Sequence, residues 1–245
     1  MTTLRPGPVW WRECIRAWHA QVSPAHRGRQ YGHDVYSVPA LLDSAAAQAA
    51  LERARETESV AVFNHSVRSY LFAELLAAHE GLRPGTDYHR EAVFFGCVLH
   101  DLGAGSAAPG LTRFEVEGAD LAASLLTDHG YRADVVDNVW ESIALHTSAG
   151  IAERRGATCY LVRSGVGMDF GRDTEFVPDA LATAIHDRYP RKHMEQALVE
   201  AVIAHARISE AAAPQFSMPG DLLREHRLSG TTAMQRAAQT SRWGP

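Results

Sequence analysis

AVFFGCVLHDLGAG, residues 92–105, decides how this chain is read. An apolar run too short to span a membrane ends in two polar donors, His100 and Asp101, and is then broken at Gly103 and Gly105. The pattern predicts a buried helix over Tyr88–Asp101 whose C-terminal end carries an imidazole beside a carboxylate. Adjacent side chains on a helix point about 100° apart, yet at a fraying end both can bend toward one ion. Taken alone, the dipeptide is equally an ordinary polar helix terminus.

Helical periodicity continues on both sides of it. In SVAVFNHSVRSYLFAELLAAH, residues 59–79, Ala61, His65, Arg68 and Phe72 step along one face beside the apolar stripe Val60, Phe63, Val67, Leu71 and Leu75. An imidazole and a guanidinium bordering a core stripe need partners, because an unpaired buried polar group costs on the order of 1–3 kcal/mol. By itself His65 reads as a satisfied core histidine. In ATCYLVRSGVGMDFG, residues 157–171, Val162, Val166 and Asp169 share a face, so Asp169 needs either a cation beside it or solvent. In NVWESIALHTSAG, residues 138–150, His146 continues the stripe Val136, Val139 and Ile143. A histidine there can cap the helix dipole or take part in chemistry.

The rest of the 245 residues has the same texture: long Ala/Leu/Glu/Arg-rich segments, short Gly/Pro/Asp punctuation and no alternation of period two. The expected fold is all-α. Helices are predicted over Val9–Ala20, Pro39–Arg55, Ser59–His79, Tyr88–Asp101, Arg113–His129, Ala133–His146, Ala157–Met168, Pro178–Tyr189 and Lys192–Ser209. Residues 1–38 read as an N-terminal arm, 39–213 as the helical domain and 214–245 as a C-terminal helical tail packed on the body or on a partner.

Composition narrows the function. With 46% hydrophobic and 22% charged residues the chain is neither disordered nor fibrous. A net charge of −5 with scattered basic residues argues against nucleic acid as partner. Cys14, Cys97 and Cys159 are too few and too far apart for a disulfide framework or a CxxC pair, and a reducing cytoplasm is expected. No run reaches about 18 apolar residues, and the N-terminal stretch lacks the apolar core of a signal peptide, so no membrane partner is expected either. The thirteen histidines stand out. Neutral imidazole is the commonest nitrogen ligand for metals and the usual acid or base near neutral pH.

Each signal is weak alone, but their order is specific: His65, the pair His100-Asp101, then Asp169, each on a separate amphipathic segment. This arrangement resembles the HD-domain superfamily of helical metallohydrolases. Within it, FNHSVRSYLF, FFGCVLHDLG, RFEVEGADLAASLL, VWESIALHTSAGIA and VRSGVGMDFG look like the cyanamide hydratase-type subgroup, in order from Ser59 to Gly171.

The resemblance implies an HD-domain helical bundle with one divalent metal held by His65, His100, Asp101 and Asp169. Two imidazoles and two carboxylates suit zinc first, then iron or manganese. It further implies metal-activated water attacking the carbon of a small C≡N compound, with cyanamide going to urea, and a free Asp101 oxygen taking the water's proton. Around the metal, Asn64 is expected to orient a ligand or bind substrate, and His146 to shuttle a proton. Arg68 and Thr147 are candidates for substrate binding, with Arg113 and Ser148 beside them, and Glu117 is a weaker one.

Many phosphate-cleaving relatives carry a cation shortly after the His-Asp pair, and HDLGAGSAAPG has none. A phosphohydrolase acting on a nucleotide or phosphate ester is therefore the second expectation. A structural metal site in a regulatory protein is the third. The expected partner is a small-molecule substrate, with homo-oligomerisation left open.

Overall fold

The structure is a computed structural model that describes residues 37–244. The expected helix Val9–Ala20 and nearly all of the expected arm lie outside these residues. Ten α-helices follow one another: α1 Ala45–Thr57, α2 Val60–His79, α3 Arg90–Val98, α4 Phe114–Asp128, α5 Ala133–Leu145, α6 Ala157–Asp169, α7 Asp179–Arg188, α8 Met194–Ala206, α9 Met218–Ser229 and α10 Ala233–Ala238. Two short 3-10 turns, Leu102–Ala104 and Ala152–Arg154, punctuate them. No strand occurs among the described residues, so the fold is all-α, as the periodicity implies.

Helix α2 is the axis of the bundle. It starts where the Ser59 hydroxyl accepts from the Val62 N–H. Polar Asn64, His65, Ser66, Arg68 and Ser69 are buried along it together with Tyr70, Leu71 and Phe72. A helix buried all round is a core helix, and a polar group on it is costly without a protein partner. Each fully buried Leu or Phe contributes about 1.5–3 kcal/mol relative to exposure. Helix α6 lies against α2 backbone to backbone: a Cβ at Gly165 would come within 2.3 Å of the Ser69 carbonyl oxygen. That close approach brings Asp169, one turn further on, beside the inner face of α2.

The apolar core falls into two clusters. The larger surrounds α2, α3 and α6 and includes Phe94, Phe95, Leu126, Ile143, Leu161 and Ile185. The smaller gathers Val62, Phe114, Met194, Val202 and Leu222. Leu222 and Leu223 draw α9 onto this second cluster, so residues 218–229 are part of the packed body.

Two helix boundaries differ from expectation for identifiable reasons. Helix α1 begins at Ala45 rather than at Pro39, because the Ser44 hydroxyl caps the Ala47 N–H while Leu41 and Leu42 pack on the core outside the helix. Helix α3 ends at Val98, so His100 and Asp101 lie in a turn rather than on the helix. Gly103 explains the turn: a Cβ there would lie 1.8 Å from the Phe114 carbonyl oxygen, and only glycine lets the start of α4 come so close.

Candidate metal centre

The turn after α3 folds His100 back on the helix it leaves, with Nδ1 2.7 Å from the Cys97 carbonyl oxygen. A carbonyl only accepts, so Nδ1 carries a hydrogen and Nε2 is the nitrogen left to face the cluster. His65, midway along α2, points Nδ1 at Asp169 Oδ2, 2.7 Å away. Burial opposes ionisation of Asp169, but the Arg68 guanidinium beside it holds its carboxyl well below the usual carboxylate range. An ionised carboxylate also only accepts, so His65 Nδ1 carries a hydrogen and Nε2 faces the cluster.

His146 repeats the pattern at the end of α5, its Nδ1 lying 2.7 Å from the Ile143 carbonyl oxygen. Three imidazoles thus each donate from Nδ1 to an acceptor and turn Nε2 inward.

Two of those nitrogens face each other at 3.2 Å, His65 Nε2 against His100 Nε2. So close an approach needs a positive charge between the two nitrogens, a proton or a metal ion. Asp101 Oδ2 completes the group, 3.1 Å from His100 Nε2 and 3.7 Å from His65 Nε2, and this buried oxygen has no hydrogen-bond partner. Burial works against its charge, but His100, His65 and His146 together hold the Asp101 carboxyl below its ordinary value. One donor atom from each of His65, His100 and Asp101 falls within a 4.8 Å span, a set that could hold a metal ion. His146 Nε2 stands 3.9 Å from the other Asp101 oxygen, beyond direct hydrogen bonding. Burial, reinforced by neighbouring His100, pushes its pKa down to about 4. His146 is neutral near pH 7.

The other expected site residues make contacts within the protein. Asp169 lies on the far side of the His65 ring, its oxygens engaged by Arg68 Nε at 2.7 Å and Arg68 NH2 at 2.8 Å. It touches the cluster only through His65 Nδ1. The same Arg68, fully buried, donates to the Tyr189 carbonyl, and Asn64 donates to the Pro190 carbonyl at 2.8 Å. These two side chains therefore hold residues 189–190 against α2.

Glu117 accepts from the backbone N–H groups of Gly110, Leu111 and Thr112 and pairs with His205 Nε2 at 2.9 Å. It pins the loop before α4 to α8. Thr147 donates to Glu115 at 2.6 Å, and Arg113 pairs with the same carboxylate.

A cavity of about 420 Å³ opens over the cluster. It brings together His65, His100, Asp101, His146 and Thr147, and leaves Asn64, Arg68, Glu117 and Asp169 outside its lining. The rest of the wall was not anticipated. Val166 and Phe170 come from α6 and its end, Leu198 from α8, Met218 from α9, and Met234 and Ala237 from α10. Two cations, Arg163 and Arg172, also line it. Searching only the segment after the His-Asp pair for cations overlooks both, because they reach the cavity from α6 and the turn after it, far along the chain. The legible signal was Arg163 three residues before Val166, on the same face of α6.

A family model described as HD domain matches residues 62–215, more than half of the chain, and no curated protein is matched. The matched span covers the donor cluster and α8. It stops short of Met218, Met234 and Ala237, so part of the cavity wall comes from outside the family region.

Proposed function

Since the chain belongs to the HD domain family, we propose that it is a metal-dependent hydrolase or hydratase that adds water to a small organic substrate held in the cavity over His65, His100 and Asp101. The observation that carries this reading is the donor geometry: two inward-facing imidazole Nε2 atoms 3.2 Å apart beside a buried carboxylate oxygen without a hydrogen-bond partner. His65 Nε2, His100 Nε2 and Asp101 Oδ2 would hold one divalent ion, with zinc favoured by the two nitrogens and single oxygen, and iron or manganese next. When bound, such an ion supplies Lewis acidity, making water a better nucleophile and the electrophile more polar.

The protein's own groups supply the rest. Asp101 has a second oxygen turned toward His146, placed to accept the proton of the attacking water. His146, neutral near pH 7 and fixed by Ile143, lines the same cavity and can exchange a proton with the substrate's leaving or accepting atom. Asp169 and Arg68 keep the His65 ring oriented and its Nδ1 protonated. Leu198, Phe170 and Met234 give the cavity an apolar wall.

The resemblance of RFEVEGADLAASLL and VWESIALHTSAGIA to cyanamide hydratases supports a C≡N compound as electrophile. A phosphate ester is the second reading, favoured by Arg163 and Arg172 on the same wall. Incubation of metal-loaded protein with cyanamide, larger nitriles and a panel of phosphate esters separates them. Urea or amide formation abolished by chelator and by His100→Ala supports the first reading, and chelator-sensitive phosphate release supports the second. Turnover that survives both chelator and His100→Ala would contradict the metal-dependent reading altogether.

A further inference from the structure

The turn that closes α6, residues 168–171, holds the His65 ring from two sides. Asp169 accepts from His65 Nδ1 at 2.7 Å, and Phe170 packs edge-on to the imidazole with ring centroids 5.4 Å apart. The last carbonyls of a helix have no intrahelical partner, so a turn at a helix end frays unless its outward groups are held as well. Here they are held by the far end of the chain. Trp243 Nε1 donates to the Met168 carbonyl at 2.6 Å, and Gly171 lies so close to residue 242 that a Cβ there would stand 3.2 Å from the Arg242 backbone nitrogen.

The indole is fixed in turn by its neighbours. Its ring stacks on Phe72, centroids 5.7 Å apart and planes 13° from parallel, and its centroid lies 5.3 Å from that of His186 on α7. Phe72 follows Arg68 by one turn on the face of α2 that carries His65. Trp243 therefore touches both helices whose side chains make the His65–Asp169 hydrogen bond. Arg242 fastens it: the guanidinium lies 4.6 Å from the indole centroid, donates to the carbonyls of Thr174 and Val177, and pairs with Asp179 at the start of α7. Aromatic stacking and a cation over an indole each favour one geometry, so the contact sets a position as well as burying area.

We infer that Trp243 is a positioning residue of the metal centre: it holds residues 168–171 against α2, and through Asp169 and Phe170 it fixes the direction in which His65 Nε2 faces the cluster. The inference rests on the metal-dependent reading for what His65 would hold, but the contacts that run from Trp243 to the imidazole stand without an ion. Groups that orient a ligating histidine typically change metal affinity by about 10–100-fold when removed. Trp243 lies beyond the matched family region, residues 62–215, so this support comes from the chain's own C-terminal segment.

The test pairs a metal titration with an observation of His65 in metal-free protein. Full-length wild type, Trp243→Ala, Trp243→Phe and Leu126→Ala are titrated with zinc against a chromophoric chelator. Leu126 is fully buried in the larger apolar cluster and has no place in the metal centre, so its variant reports loss of stability alone. Trp243→Ala should weaken zinc binding by about tenfold, the lower end of the range for a group that orients a ligand. Trp243→Phe, which keeps a ring against Phe72 and loses the N–H to Met168, should fall between it and wild type. Leu126→Ala should melt earlier and bind zinc as wild type does. In chelator-treated protein with isotope-labelled histidine, the His65 Nδ1 proton, identified by its absence from His65→Ala, should give a downfield NMR signal that moves upfield in Trp243→Ala and stays in place in Leu126→Ala. Zinc bound as tightly by Trp243→Ala as by wild type, an unmoved His65 signal in that variant, or zinc weakened equally in Leu126→Ala would overturn the inference. Wild-type protein that binds no zinc would instead remove the metal-dependent reading, and a His65 signal that still moves in Trp243→Ala would keep the positioning role.

Discussion

Asp169 is the residue whose replacement most sharply separates an orienting role from a coordinating one. Its carboxylate is fully buried, accepts from Arg68 at 2.7 and 2.8 Å and from His65 at 2.7 Å, and has Arg191 NH1 at 3.5 Å. In Asp169→Asn one oxygen remains, but the amide NH2 must face a donor, and the Arg68 charge, which has no access to water, loses its counter-ion. Removing one partner of a buried ion pair costs about 3–5 kcal/mol, against a total stability of about 5–15 kcal/mol for a domain. Guanidinium unfolding in the presence of chelator should show that loss as a lower midpoint at unchanged slope. Because Asp169 reaches the cluster only through His65 Nδ1, the variant should still bind one metal ion per chain, with affinity lower by about 10–100-fold. A stability change below about 1 kcal/mol would refute the buried pair. Complete loss of metal from Asp169→Asn, with retention in Arg68→Met, would make Asp169 a ligand, as the family resemblance implies.

His146→Ala should retain the metal and lower kcat by about 10²–10⁴-fold, the range for a lost general acid or base; metal content and steady-state rates check it, and loss of the metal would make His146 a ligand. Glu117→Gln should destabilise the protein by about 2–4 kcal/mol, since it weakens acceptance from three backbone N–H groups and His205. Burial raises the Glu117 pKa, but His205 and the backbone donors outweigh it and hold the carboxyl below its ordinary value. Its stabilisation is therefore full above the unfolded value of about 4.3 and is lost as pH falls through the folded one, so the wild-type advantage over Glu117→Gln should shrink only as pH drops below about 4.3 in denaturant titrations. Gly103→Ala should cost at least about 1–3 kcal/mol and loosen the His100-Asp101 turn, because its Cβ meets backbone at 1.8 Å; an unchanged melting temperature would refute the contact.

Much of this was legible in the residues because period and punctuation are local. The α2 stripe, its Ser59 cap and the Gly103 break all act within a few residues, and the expected helices over 59–79, 113–129 and 157–168 match α2, α4 and α6 within a residue or so. The donors His65, His100 and Asp101 were legible for a different reason: their order matches a family pattern. Partner choice was not legible. Whether Asn64 and Arg68 face a substrate or the carbonyls of Pro190 and Tyr189 is decided by a segment more than a hundred residues away. Glu117 gave no local sign that three N–H groups and His205 would occupy it. Arg163 and Arg172 were hidden because a cavity wall is assembled from α5, α6, α8, α9 and α10 together.

Metal content bears most directly on the account. Purified wild-type protein, loaded with zinc, iron or manganese and freed of excess, should hold one ion per chain by elemental analysis. His65→Ala, His100→Ala and Asp101→Ala should each fall well below one, because each removes one of three converging donor atoms. Wild-type protein holding no divalent ion, or a stoichiometry near one retained in both His100→Ala and Asp101→Ala, would contradict it.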